Sequence, residues 1–419
     1  MSRDELSNAA EAVESYFRDT TSSINPYLAY ERLRELAPVY WSEPLGYWIV
    51  TGYAEGDALY RNPALSRYEA SRRQLRWLRS PDDPPEVQRD IAAWSTTVLN
   101  MDDPDHGRLR RLLQPAFSQR SVSRWEGRTE QIVTNVFARI ADEEEFDFLS
   151  QVAYPVPETV ICEILGVPHE DHARWREWSK AVAAGFVVSA TATAVSEDFR
   201  RSVVSGIVSW CEYFRALVAE RRSGDGDDLI SVLARLEEEG DRLTADELTG
   251  TCILTIGAGH ETTANLISNA MLALLRNPAQ YRKFRNDPSL AAKVVEETMR
   301  FDSPSRSQGR VALADIEVGG ETIREGQLVM VTANACNRDP RRHEETNQFD
   351  LDREDVGHIA FAGGIHYCLG AALARMEAGI ALRHVAELDA ELELTRWPLP
   401  YRPAHGRAVA TLPVRRVRH

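Results

Sequence analysis

In the run Phe361-Ala-Gly-Gly-Ile-His-Tyr-Cys368-Leu-Gly370, one cysteine is surrounded by the groups that an iron-bound thiolate requires. Sulfur ligates iron as thiolate, and a thiolate is oxidised unless hydrogen bonds and a dry wall protect it. Gly363 and Gly364 allow a tight turn and a close approach of backbone to a flat macrocycle. Cys368 is followed by Leu-Gly-Ala-Ala-Leu-Ala-Arg-Met-Glu, a strong helix-forming run. The spacing therefore places the sulfur at a helix N-terminus, where unpaired N–H groups and the macrodipole favour an anion. Phe361 is expected to cover the sulfur side of a haem, and His366 to donate a hydrogen bond to a propionate. The same residues also admit a plainer account, a buried cysteine capping a glycine-rich turn.

A second constellation is Ala258-Gly-His-Glu-Thr-Thr263, inside an apolar helical stretch from Cys252 to Leu275. Glycine inside a helix costs about 1 kcal/mol against alanine, so Gly259 calls for a reason. Small side chains at Ala258 and Gly259 would let the helix pass close to a haem face and leave room for dioxygen. The Thr262 hydroxyl is expected to return to the Ala258 carbonyl and bend the helix. Glu261 supplies a carboxyl for relaying protons, which O–O cleavage consumes. The alternative is a core helix with a packing notch. His260 reads as a neighbour of this groove rather than a ligand.

Glu297-Thr-Met-Arg300 sets a carboxylate and a guanidinium three apart on one helical face, where they pair. Exposed pairs of this kind are common and weak, so this one alone carries no function. His106-Gly-Arg-Leu-Arg110, introduced by Asp102-Asp-Pro-Asp, puts a histidine and an arginine on one face. Both can reach a carboxylate, although each taken singly is equally a solvated charge.

The elements that position these residues are mostly helical. Helical patterning covers 106–117, 122–141, 145–165, 169–185, 196–222, 227–238, 244–276 and 288–301, with a short amphipathic helix from Pro26 to Leu36. Aromatic and β-branched runs at Val39-Tyr-Trp-Ser and Gly46-Tyr-Trp-Ile-Val-Thr51 predict a hairpin. Asp315 to Ile323 reads as a turn between alternating residues, Leu328-Val-Met-Val-Thr as a buried strand, and Glu391 to Val414 as short strands. The expectation is a mainly α chain with a minor β region, forming one domain over 1–419 whose β-rich parts lie near 38–52, 310–332 and 391–414. No Pro/Gly/Ser-rich linker, repeat or low-complexity tract divides its 419 residues.

A net charge of −15 argues against general nucleic-acid binding and against an anionic membrane surface. The polar, acidic N-terminus lacks an apolar signal-peptide core, and no run of about 18 uncharged apolar residues predicts a spanning helix. The five cysteines, Cys162, Cys211, Cys252, Cys336 and Cys368, are scattered, without zinc spacing, as a reducing cytoplasm would allow. A soluble, cytoplasmic monomer is expected.

The cysteine segment closely resembles the haem-binding signature of the cytochromes P-450, at Phe361, Gly364, Cys368 and Gly370, with His366 at the usually basic position. Ala362 departs from it, standing where the family often has glycine. Residues 258–263 resemble the family's oxygen-activation motif, with glutamate for the commoner aspartate, and Glu297 and Arg300 its ExxR motif. Arg353 falls where the family places the third member of that network, and Arg310 where a propionate-binding arginine is usual. The likeness runs from roughly Pro26 to Leu412, and the polar N-terminus points to the bacterial type.

The resemblance implies the triangular, helix-rich cytochrome P-450 fold, with haem b between a long central helix and the cysteine loop. It implies Cys368 as the metal ligand, with His106, Arg110, Ala258, Gly259, Arg310, Phe361, Gly364, His366 and Gly370 contacting the cofactor. Thr262 and Glu261 are the implied catalytic pair, whereas Glu297, Arg300 and Arg353 read as structural. The implied reaction inserts one atom of O₂ into a small organic substrate, such as an intermediate of natural-product biosynthesis. Alternatives are oxidative coupling or another non-hydroxylating oxidation, and a non-catalytic haem sensor. With no dinucleotide fingerprint or flavin domain in the chain, electrons are expected from a separate ferredoxin and ferredoxin reductase, docked through Arg108 and Arg111. Two regions are expected to roof the substrate. One is the small-residue stretch 181–195. The other, 67–97, carries Arg67, Arg72, Arg73, Arg76 and Arg79, and reads either as a solvated charged loop or as a surface for an acidic substrate or carrier-protein domain.

Overall fold

Val39–Ser42 and Tyr47–Val50 pair antiparallel, as their β-branched and aromatic content predicts, around a turn in which Gly46 adopts φ 69°. Leu328–Val331 adds parallel to the second strand, and Gln308–Ala312 and then Leu65–Ser66 complete five strands. Arg310 lies opposite Val329 and is held mid-strand. Gly319 and Gly320, both at positive φ, close a tight hairpin between Ile316–Val318 and Glu321–Ile323.

The computed structural model describes all residues except 1–2, 19–24, 173, 176, 179–181, 183–194, 223, 236, 239–240, 403–407 and 419. The proposed roof at 181–195, apart from Val182 and Val195, and eight of the seventeen positions of the helix expected over 169–185 therefore lie outside the described residues. The chain forms two compact units, one of Met1–Ser66, Gly127–Pro157 and Thr262–His419, the other of Arg67–Glu126 and Glu158–Glu261.

The first unit contains the five-stranded sheet and a helical core. Helices Ala291–Phe301 and Ala371–Ala386 pack together, burying Val294, Val295, Met299, Ala378, Ile380, Ala381 and Val385. The stretch expected as one helix over 145–165 instead opens with strand Glu145–Asp147. Its partner is Pro413–Val417, which also pairs with Glu391–Leu394, and no local window contains that distant edge. Helix resumes at Pro155–Leu165, where proline suits the first helical position. Helix Arg3–Arg18 went unread, although Ala9, Val13, Tyr16 and Phe17 are buried at helical spacing.

In the second unit, Glu197–Arg221 is capped by Ser196, whose hydroxyl accepts from the Phe199 N–H at 3.3 Å. This helix packs on Pro85–Ser95, where the Cys211 thiol lies 3.7 Å from the Asp90 carbonyl oxygen. Arg200 clasps Asp83 through two 2.9 Å hydrogen bonds. The helix Ala245–Arg276 runs 32 residues without a break and supplies residues to both units. Among the described residues, no helix is long and apolar enough to cross a membrane.

Candidate functional site

The cysteine loop is built on two left-handed residues. Gly364 has φ 62°, and a Cβ there would stand 2.5 Å from the Tyr60 carbonyl oxygen. The glycine is thus demanded by close packing on helix Tyr53–Arg61 as well as by the turn. Ala362, where the signature prefers glycine, also adopts a left-handed φ of 59°, which costs a non-glycine residue roughly 1–2 kcal/mol. Its buried methyl group joins the apolar cluster of the sheet. The Cys368 N–H donates to the Phe361 carbonyl at 2.9 Å and the Tyr367 N–H to that of Gly364 at 3.2 Å, closing the loop on itself.

The following helix begins at Ala371 with Gly370 at its N-cap, so Cys368 lies just ahead of the first turn. Of the five cysteines Cys368 alone is half-exposed, the other four being buried. Burial pushes the Cys211 thiol up to about 12 and raises those of Cys252 and Cys336 further, which disfavours thiolate chemistry at all three. Phe361 is buried, whereas Ile365 and Tyr367 are exposed on either side of the half-buried His366.

Beneath the loop, Glu297 and Arg300 form a bidentate pair with both hydrogen bonds at 2.7 Å and side chains no more than 1% exposed. Arg300 also donates to the carbonyls of Thr346 and Gln348, each at 2.9 Å. Glu297 accepts from the Asp350 N–H at 3.0 Å and from Arg353 at 3.3 Å. Arg353 in turn binds the carbonyls of Glu344 and Glu345 at 2.6 and 3.0 Å. Each carboxylate oxygen and much of each guanidinium is therefore spent on the chain leading to Cys368. This is a clamp on backbone, in keeping with the structural reading that the resemblance implied.

The long helix stays α-helical through Ala258–Thr263. The turn that follows is buried and the one before it is mostly half-buried, whereas Ala258 and Thr262, one turn apart, are exposed, with Gly259 and Glu261 half-buried beside them. A Cβ on Gly259 would meet Ile161 at 3.3 Å, so the glycine also serves packing. His260 is half-buried. Its Nδ1 lies 3.1 Å from the Ile256 carbonyl and its ring packs edge-on against Trp175, at 5.0 Å between centroids.

His106 and Arg110 share helix Asp105–Leu113, where His106, Leu109 and Leu113 form the buried stripe and Arg110 is half-buried. Burial pushes the His106 pKa down against the raising effect of Asp103, 3.7 Å away. It is therefore neutral at pH 7 and offers an N–H donor rather than a charge. Arg108, expected on a docking surface, is instead committed to Asp241 at 3.3 Å and to Glu247. Arg111 is exposed. Arg310 is 2% exposed; it donates to the Gly309 carbonyl at 2.9 Å and lies 5.7 Å from the Tyr60 ring centre.

Sequence reasoning missed a second charged cluster behind the loop, formed by Glu296, Arg375, His358 and Tyr367. Its members are spread along the chain without a motif, and only the residue types near the cysteine could have hinted at it.

A half-exposed thiol on a self-bonded glycine loop, with the buried Arg310 in the same unit, suits a thiolate-held, anionic ring. Those are the features of a haem–thiolate protein. The cytochrome P-450 family model matches residues 76–387. Cytochrome P-450 107B1 of Saccharopolyspora erythraea is 36% identical over 88% of this chain and 89% of its own. The cytochrome P-450 monooxygenase PikC of Streptomyces venezuelae is 36% identical over 88% and 85%. A crystal structure of BioI, a cytochrome P-450 in complex with acyl carrier protein bearing hexadec-9Z-enoic acid, superposes with a TM-score of 0.84 at 33% identity. It covers 97% of this chain and 100% of that one. The chain belongs to the cytochrome P-450 family, and with it come haem b, a cysteine thiolate ligand and oxidoreductase activity of the monooxygenase class.

Proposed function

We propose that the chain oxidises an organic acyl intermediate of secondary metabolism, presented by an acidic carrier protein, with electrons from a separate ferredoxin and its reductase. Bound haem supplies O₂ activation, and the thiolate of Cys368 supplies the electron density that favours O–O cleavage. In this reading His106, Arg110, Arg310 and His366 would hold the propionates, Phe361, Gly364 and Gly370 would shape the loop that carries the sulfur, and Ala258 and Gly259 would leave room for the cofactor and dioxygen. Thr262 would orient water there and Glu261, half-buried beside it in sequence, would relay protons.

The observation that carries the monooxygenase part is the exposed pair Ala258 and Thr262, one turn apart and followed by a fully buried turn, with Glu261 adjacent. A core helix with a mere packing notch would bury them. Thr262→Ala is expected to keep consuming reductant while releasing peroxide, with coupled product falling at least tenfold. Unchanged coupling removes Thr262 from proton delivery.

The carrier-protein part rests on Arg72, Arg73, Arg76 and Arg79, which are exposed along helix Arg67–Gln74 and the turn after it. Arg72 pairs with Glu69 at 2.9 Å, and four exposed arginines within eight residues concentrate basic side chains on an acidic molecule. The similarity to BioI, solved with an acyl carrier protein, points the same way. Replacing Arg72, Arg73 and Arg76 by alanine should weaken binding of a carrier-bound acyl chain while sparing the free acid. Equal affinity for the carrier in variant and parent contradicts it.

A further inference from the structure

The cluster behind the cysteine loop is explained neither by the Glu297 clamp nor by contacts to a cofactor. Arg375, on helix Ala371–Ala386, grips Glu296 of helix Ala291–Phe301 through two hydrogen bonds of 2.6 and 2.9 Å. Its Nη1 donates to the Tyr367 hydroxyl at 3.2 Å, and its Cζ lies 4.5 Å from the centre of the Phe361 ring. His358 Nε2 stands 3.3 Å from Glu296 Oε2, and the His358 and Phe361 ring centroids are 5.7 Å apart. One guanidinium therefore touches both residues that fix Cys368, namely Phe361, whose carbonyl accepts the Cys368 N–H, and Tyr367, its chain neighbour. The hydrogen bonds from Arg375, with the His358 ring close by, hold the Glu296 carboxyl down to about 2 despite its burial, so the pair is fully ionised at neutral pH.

We infer that Glu296 and Arg375 are positioning residues for the Cys368 thiolate, which they serve by seating Phe361 and Tyr367 and by presenting a balanced charge pair to the iron–sulfur bond. This rests on Cys368 being the iron ligand. Reduction of a haem–thiolate adds one negative charge, which a nearby unbalanced cation favours and an unbalanced anion opposes. Because the two charges cancel in the parent, removing either member unbalances the other with opposite sign. Mere structural damage has no such signature.

The test is a spectroelectrochemical titration of the purified, haem-loaded parent, Glu296→Gln, Arg375→Met and the double variant, with the ferrous–CO spectrum recorded for each. The midpoint potential is expected to rise in Glu296→Gln, fall in Arg375→Met and return near the parent in the double variant. Shifts of the same sign in both single variants, or none in either, overturn the inference. If Arg375→Met does not take up haem, Glu296→Gln and Arg375→Lys decide: a rise in the first with the second near the parent upholds it, and no rise in the first overturns it. A parent without a thiolate-type CO band would instead overturn the assignment of Cys368.

Discussion

Two neighbouring residues of the cysteine loop face the same backbone demand with different side chains. Gly364 meets its left-handed conformation without strain and also lets the Tyr60 carbonyl approach to where a Cβ would stand 2.5 Å away. Ala362 accepts a left-handed φ and offsets the cost by burying its methyl group. Gly364→Ala should therefore lose the roughly 1–2 kcal/mol of conformational strain and a further clash term, lowering the thermal midpoint and haem occupancy together. Ala362→Gly should change stability by less than about 1 kcal/mol, because relief of strain is countered by a more flexible unfolded chain and a lost methyl contact. Calorimetry on both variants checks the contrast, and comparable losses would mean that the clash with Tyr60 does not constrain the loop.

At the scale of elements, the helix Ala291–Phe301 works as a clamp on the strand-free chain that precedes the cysteine. It is held by the wholly buried Glu297–Arg300 pair and by backbone carbonyls from Glu344 to Gln348. Such a pair adds little net stability compared with an apolar replacement, because both charges have been desolvated, but removing one partner strands the other. Arg300→Ala is thus expected to cost on the order of 3–5 kcal/mol. Arg353→Ala, which leaves the Glu297–Arg300 pair intact, should cost less. Denaturant unfolding of the two variants gives the comparison, and an Arg300 loss no greater than that of Arg353 would show that the clamp is not where the loop is held.

Across the whole molecule, the pH dependence of stability follows from buried groups whose protonation differs between folded and unfolded chains. Glu377, on the helix that follows the cysteine, is 2% exposed, and its Oε2 has no hydrogen-bond partner among the described residues. Burial raises its pKa well above the ordinary carboxylate value, so the fold holds it protonated. Above its unfolded pKa the unfolded chain releases that proton and gains on the fold by about 1.4 kcal/mol per pH unit, until the folded pKa is reached. Glu296 has the reverse sign, with its contribution complete above pH 4.5 and lost as pH falls toward 2. Glu377→Gln should therefore leave the acid loss below pH 4.5 in place. Its stability relative to the parent should rise as pH climbs above 4.5. A difference that stays constant above that pH would contradict a protonated Glu377.

The same scale separates what sequence can disclose from what it cannot. The cysteine run, the Glu297–Arg300 spacing and the first hairpin were legible because their determinants lie within a few residues of one another. Strand Glu145–Asp147 was read as helix because its edge partner is Pro413–Val417. Helices Arg67–Gln74 and Pro85–Ser95 were hidden by arginine- and acid-rich composition that resembles a solvated loop. The pairing of Glu296 with Arg375 joins two helices far apart in the chain, and the capture of Arg108 by Asp241 and Glu247 has no local signature either.

The central claim, a haem held through the sulfur of Cys368, is tested most directly by the reduced, carbon-monoxide difference spectrum of the purified protein beside Cys368→His. The strongly red-shifted Soret band of a thiolate-ligated complex is expected in the parent and should be absent from the variant. A histidine-like band in the parent, or a thiolate band that survives in Cys368→His, would contradict the account.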